Sequence, residues 1–213
     1  MTTRKISILG AGKIGIALAT LWTRAGHSIC LGSRDPQKLQ VIVDDLHLKV
    51  NVKSIKEAVT ENDIIALAVP YSALSDLIPT IKNDLDGKIV IDATNPFGIS
   101  PEGHVVSTLG PNITAGTYMA SLLPKSTVIR AFTHIMDELL ISRGVRHPGL
   151  FAMAIAGDNH DAKVLVSELV TDTGFVPVDI GTLRESAPLD PGGSLFPQFF
   201  TVADMKLALK KNA

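Results

Sequence analysis

"KISILGAGKIGIALATLW", residues 5–22, sets three glycines between a short apolar run and a stretch of helical period. The run "KISILG" (5–10) has the pattern of a buried strand. Ile14, Ala17, Leu18, Leu21 and Trp22 then recur at helical spacing, which lays one apolar stripe against a sheet. Gly10, Gly12 and Gly15 occupy the turn between them as Gly-x-Gly-x-x-Gly. In that context Gly10 permits the tight turn, Gly12 lets a pyrophosphate approach the backbone, and Gly15 allows helix and strand to pack closely. The helix N-terminus adds free N–H groups and a positive dipole end. The spacing predicts a dinucleotide-binding turn, with Gly10, Gly12, Lys13, Ile14 and Gly15 at the ligand.

The rest of the chain repeats the alternation. Strands are expected at "HSICLG" (27–32), "LKVNV" (48–52), "DIIALAV" (63–69), "KIVIDA" (88–93) and "TVIRAF" (127–132). Asp35 before Pro36 starts a helix as cap and first-turn residue, and Ser54 with Glu57 has capping-box spacing. Two further strands are expected at 150–157 and 175–181, around a helix carrying Ala162, Leu165, Val166, Leu169 and Val170 on one face. A closing helix is expected over 194–211, broken near Pro197. The pattern predicts an α/β fold of Rossmann type, doubly wound on a mainly parallel sheet. Residues 1–135 form its nucleotide-binding domain, and residues 136–213 are expected as a small C-terminal lobe packed on it.

Composition narrows the classes. The 213 residues are 46% hydrophobic and 19% charged, enough for a real core. A net charge of −1 gives no bulk attraction to nucleic acid or an acidic membrane. Mean hydropathy is +0.27, yet no apolar run approaches the ~20 residues of a membrane-spanning helix. The first strand begins within a few residues of the N-terminus, so no cleavable signal is expected and the location expected is cytoplasmic. Cys30 is the one cysteine and is expected as a small core residue; no Cys/His set can hold a metal.

The second strand of such a fold ends beside the adenosine ribose. An NAD-binding chain usually places a carboxylate there; this one has Gly32, Ser33 and Arg34. Arg34 offers a fork of donors to a phosphate, Ser33 adds a hydroxyl, and Lys38 adds charge one turn into the next helix. The ligand expected is therefore NADP(H), bound through its 2′-phosphate. Asp35 is the countervailing charge, but as a helix cap it faces the helix's own N–H groups. At the nicotinamide end, Val69, Pro70 and Tyr71 leave the fourth strand, Asn95 leaves the fifth, and Thr133 and His134 leave the sixth. His134 is the candidate for a direct acid role, though a packed or surface histidine is the plainer reading of it.

The Tyr-x-x-x-Lys pair of short-chain dehydrogenases is absent, because Leu122 follows Tyr118 at that spacing and Ser75 follows Tyr71. No carboxylate–histidine pair announces acid–base machinery. Hydride transfer between two stacked rings needs none. Reduction of a small imine or carbonyl, or a non-catalytic NADP(H)-binding sensor, are the competing readings.

"ILGAGKIGIALA" (8–19), "LGSRDPQK" (31–38), "LPKSTVIRAFTHI" (123–135) and "AIAGDNHDAKVLVSELVTDTGFVPVDIGTLRESAPLDP" (154–191) together resemble the F420-dependent NADP oxidoreductase family. The resemblance covers nearly the whole chain. It implies that Ser33 and Arg34 hold the 2′-phosphate and that the loops at Val69-Pro70 and Ala131-Phe132-Thr133 line the nicotinamide pocket. It also implies a C-terminal lobe covering the deazaflavin coenzyme F420, and a homodimer. A similar domain occurs fused to membrane ferric reductases that use ordinary flavin, which makes FMN or FAD the other expected acceptor. The chain departs from the family at Thr133, where relatives commonly carry Asn or His, and at residues 141–151 and 183–197. These departures all lie on the acceptor side.

Overall fold

The computed structural model describes residues 2–110 and 112–210. The chain runs β1 (Lys5–Leu9), α1 (Lys13–Arg24), β2 (Ser28–Ser33), α2 (Pro36–Asp45), β3 (Asn51–Ser54), α3 (Ile55–Glu61), β4 (Ile64–Leu67) and α4 (Leu74–Ile81). It continues with β5 (Ile89–Asp92), a β6–β7 hairpin (Phe97–Ile99, Val105–Ser107), α5 (Ala115–Leu122), β8 (Thr127–Arg130) and α6 (Asp137–Arg146). The last elements are β9 (Phe151–Gly157), α7 (His160–Asp172), β10 (Val176–Asp179), β11 (Phe200–Thr201) and α8 (Val202–Lys210).

The sheet order is β10-β9-β8-β5-β4-β1-β2-β3. From β3 to β8 every pairing is parallel. This is the doubly wound order, and β1 and β4 flank the point where the winding reverses. One face is covered by α1, α2, α6 and α7, through Trp22, Leu39, Leu140 and Leu169 among others. The opposite face is covered by α3, α4 and α5, through Val59, Ile78 and Met119. Strands buried on both faces read as continuous apolar runs, which is why β1, β4 and β5 are legible from sequence.

In the C-terminal third, β9, β10 and β11 continue the sheet. β9 joins β8 antiparallel through Ile129↔Gly157 and Arg130↔Ala156, β10 lies parallel to β9, and Phe200 pairs with Ala152. Trp22 ties the two parts together: its Nε1 donates to the Leu169 carbonyl at 3.0 Å, and its ring meets Phe132 edge-on at 5.7 Å. The closing helix begins only at Val202, because Phe200 and Thr201 are taken as a strand along the part of β9 that β8 does not reach. The last residue of the helix expected there, Lys211, lies outside the described residues. The hairpin at 97–107 and α6 are elements that sequence reading does not anticipate.

Candidate functional site

The glycine turn has the geometry its spacing predicts. Gly10 has φ +104°, and a Cβ there would lie 2.5 Å from the Ala68 carbonyl oxygen. At Gly15 a Cβ would lie 1.9 Å from the Gly10 carbonyl oxygen, so helix and turn could not close on any larger residue. Gly12 is different: nothing stands within 4 Å of its added Cβ. The space over Gly12 is open, and α1 starts there with no side-chain cap and no acidic residue in its first turn. Uncapped N–H groups beside an open space are an arrangement that can accept an anion.

That space opens into a cleft of about 630 Å³, walled by Gly10–Gly12, Gly32–Arg34, Ile55 and Lys56, Ala68–Pro70, Ala73, and the α4 face at Asp76, Leu77, Thr80 and Ile81. Arg34 is exposed at its rim, and among the described residues no carboxylate pairs with it. Asp35 is occupied as foreseen, its Oδ1 accepting from Lys38 N at 3.0 Å. Ser33 Oγ is engaged locally, accepting from Asp35 N at 3.0 Å and donating to the Asp35 carbonyl at 3.1 Å. Lys38 is exposed on α2 and does not line the cleft. Lys56 does line it, and sequence reading missed it. The signal was available: the Ser54–Glu57 capping box fixes the start of α3, and parallel pairing sets Ser54 beside Ser33.

Several expected positions lie elsewhere. Lys13 borders a groove of about 740 Å³ between α1 and α6, its Nζ 3.6 Å from Asp137 Oδ2. Ile14 packs against the core. Tyr71 lines a groove between α4 and α5, with its ring 6.2 Å from that of Tyr118 and its buried hydroxyl without a partner among the described residues. Burial is the main reason its phenol is held protonated well above the usual range.

At the ends of β5 and β8 the chain builds a buried ionic cluster that sequence reading also missed. Asp92 and Arg130 are both fully buried. Arg130 Nη1 donates to Asp92 Oδ2 at 3.0 Å and to the Thr94 carbonyl; Nη2 donates to Asp190 Oδ1 at 2.9 Å and Asn95 Oδ1 at 3.3 Å. Asp92 Oδ1 accepts from Thr94 N and Oγ1, and Asp190 Oδ2 accepts from Ala115 N at 2.8 Å. Burial raises the Asp190 carboxyl pKa, against the lowering pull of the Arg130 charge. Asn95 Nδ2 in turn donates to the Thr133 carbonyl at 2.8 Å. Ala131 and Thr133 are thus buried under the strand ends, and neither they nor Asn95 line the main cleft.

His134 is fully enclosed. Its Nε2 accepts from Ala154 N at 3.1 Å, which leaves the proton on Nδ1 to donate to the Gln198 carbonyl at 3.0 Å. Burial pushes its pKa below the usual value, so the ring is neutral. With both nitrogens spent on backbone, the packed-histidine reading is the one this geometry supports. Among the described residues no group of three His, Cys, Asp or Glu side chains could hold a metal ion, and no helix is long and apolar enough to cross a membrane.

Residues 5–96 match the family model for NADP oxidoreductase, coenzyme F420-dependent. The F420-dependent NADP reductase of Methanothermobacter marburgensis is 30% identical over 198 residues, covering 87% of this chain and 88% of that one. Metalloreductase STEAP3 of Rattus norvegicus is 32% identical over 186 residues, covering 87% of this chain and 36% of the relative. The chain thus spans about a third of the length of the STEAP metalloreductases it matches. The crystal structure of a hypothetical protein, SMa0349, from Sinorhizobium meliloti superposes with a TM-score of 0.80 at 31% identity, over 94% of this chain and 96% of that one.

Proposed function

The chain belongs to the family of F420-dependent NADP reductases, and from that premise we propose that it is an oxidoreductase moving hydride between NADP(H) and a deazaflavin or flavin ring. The acceptor class is F420, FMN or FAD. The observation that carries the NADP half is the free guanidinium of Arg34 at the end of β2, where a ribose-binding carboxylate is absent. Gly10, Gly12 and the N-terminus of α1 hold the pyrophosphate; Ser33, Arg34 and Lys56 surround the 2′-phosphate, with Lys38 adding to the field. Val69 and Pro70 border the path to the ring end, which Asn95, Ala131 and Thr133 shape from beneath.

When bound, the reduced nicotinamide supplies the hydride. This chain's residues bind, orient and exclude water; none needs to give a proton, which agrees with a His134 whose two nitrogens are both engaged. The acting form is a homodimer in the cytoplasm, an expectation carried by the family resemblance and checked by light scattering and fractionation. NADPH oxidation assayed with F420, FMN, FAD and a panel of small imines and carbonyls tests the reading. Turnover with a deazaflavin or flavin is expected. Turnover with the imines or carbonyls alone sinks the ring-to-ring mechanism, and tight NADPH binding without turnover on any acceptor favours a sensor.

A further inference from the structure

Arg130 gathers four partners at one point. Its partners are Asp92 on β5, the Thr94 carbonyl, Asn95 in the β5 loop, and Asp190 in the C-terminal segment. Asn95 passes the restraint on through Nδ2 to the Thr133 carbonyl in the β8 loop. Asp190 passes it to the backbone of Ala115 at the start of α5. Two loops of the strand-end edge, 94–96 and 131–134, are therefore clamped together by one side-chain amide whose oxygen is held by a guanidinium.

We infer that Arg130, acting through Asn95, is a positioning residue for the nicotinamide end of the bound cofactor, while the adenosine end is bound independently of it. The inference rests on the NADP reading above. Two features support it. Neither Arg130 nor Asn95 lines the cleft bounded by Gly12, Arg34 and Lys56, so the adenosine end has its own walls. A buried ion cluster adds little net stability over an apolar filling, yet it is costly when one partner is removed. Such a cluster restricts the loops it joins to one arrangement, and that arrangement sets where the ring can lie.

The test compares two ligands on the full chain: NADPH, and 2′-phospho-ADP-ribose, which lacks the nicotinamide. The variants are Asn95→Leu, which removes both loop ties, and Arg130→Lys, which keeps the charge but loses the two-armed donation. Each is to weaken NADPH by about tenfold while 2′-phospho-ADP-ribose stays within about twofold, because only the ring end is misplaced. Should Arg130→Lys fail to fold, Asn95→Leu, at a half-buried position, decides alone. Parallel weakening of both ligands, or an unchanged NADPH affinity, overturns the inference. A wild-type chain that binds NADPH no better than NADH sinks the NADP reading first, and the inference with it; the two failures are distinguished by the wild-type measurement.

Discussion

Asp92 and Arg130 stand side by side in register on two parallel strands, and their side chains meet at 3.0 Å with no exposure to solvent. Asp92→Ala leaves the guanidinium with Asp190 as its one remaining carboxylate partner and strands polar groups of Thr94. The expected cost is about 3–5 kcal/mol. Denaturant unfolding of the variant measures it, and a loss under about 1 kcal/mol contradicts the burial argument.

Arg34→Ala is expected to weaken NADPH by about 1.5–3 kcal/mol, the worth of a charge-assisted hydrogen bond, and to leave NADH nearly untouched. Lys56→Ala follows the same direction with a smaller loss, about 0.5–1 kcal/mol, as suits a flexible exposed ammonium. Titration with both cofactors reads the selectivity directly. Equal losses for the two would remove the 2′-phosphate assignment.

At Gly15 the limit is steric. An alanine methyl would sit 1.9 Å from the Gly10 carbonyl oxygen, which is backbone and cannot swing aside. Gly15→Ala is expected to cost about 3 kcal/mol or more and to abolish NADPH binding in whatever protein folds. Gly12→Ala meets no protein atom and is expected to keep wild-type stability while losing cofactor affinity. Melting temperature and NADPH titration together separate these two glycines.

The buried His134 ring makes stability depend on pH with a definite sign. Its folded pKa lies below the ordinary value of 6.5, so the unfolded chain takes up the proton first. Its contribution is complete above about pH 6.5 and is lost as pH falls through the lowered folded value. His134→Gln is expected to lower the melting temperature at pH 8 and to flatten the acid-side decline. Turnover per folded molecule should stay within about tenfold of wild type, since no proton passes through the ring.

Cys30 offers a probe of the folded core. It is buried in β2, and burial, with the Glu61 carboxylate nearby, pushes its thiol up to about 12. Reaction with a thiol reagent at pH 8 is expected only at the rate of unfolding. Fast labelling of the native chain would show that β2 is not enclosed as described.

The first strand, turn and helix were legible because three glycines at fixed spacing carry their own geometry. The Asp35-Pro36 and Ser54–Glu57 signals were equally local, and the caps they foretell are both present. What escaped was non-local. Arg130 lies 38 residues from Asp92 and 60 from Asp190, and no spacing rule joins them. The β6–β7 hairpin keeps Phe97 and Ile99 exposed, so it lacks the burial signal that reveals the central strands. Lys56 was half legible: the capping box put it in the first turn of α3, but the pairing of β2 with β3 is what carries it to the cleft.

The antiparallel junction between β8 and β9 has an architectural result. Only Gly157 and Ala156 of β9 pair with β8, so its first residues run past the last residue of β8 and overhang the strand ends. Bonded to β10 on one flank and to Phe200 on the other, that overhang lies beside the loop holding Thr133 and His134. The loop after β8 is therefore backed by paired strand, and Ala154 holds the His134 ring from behind it.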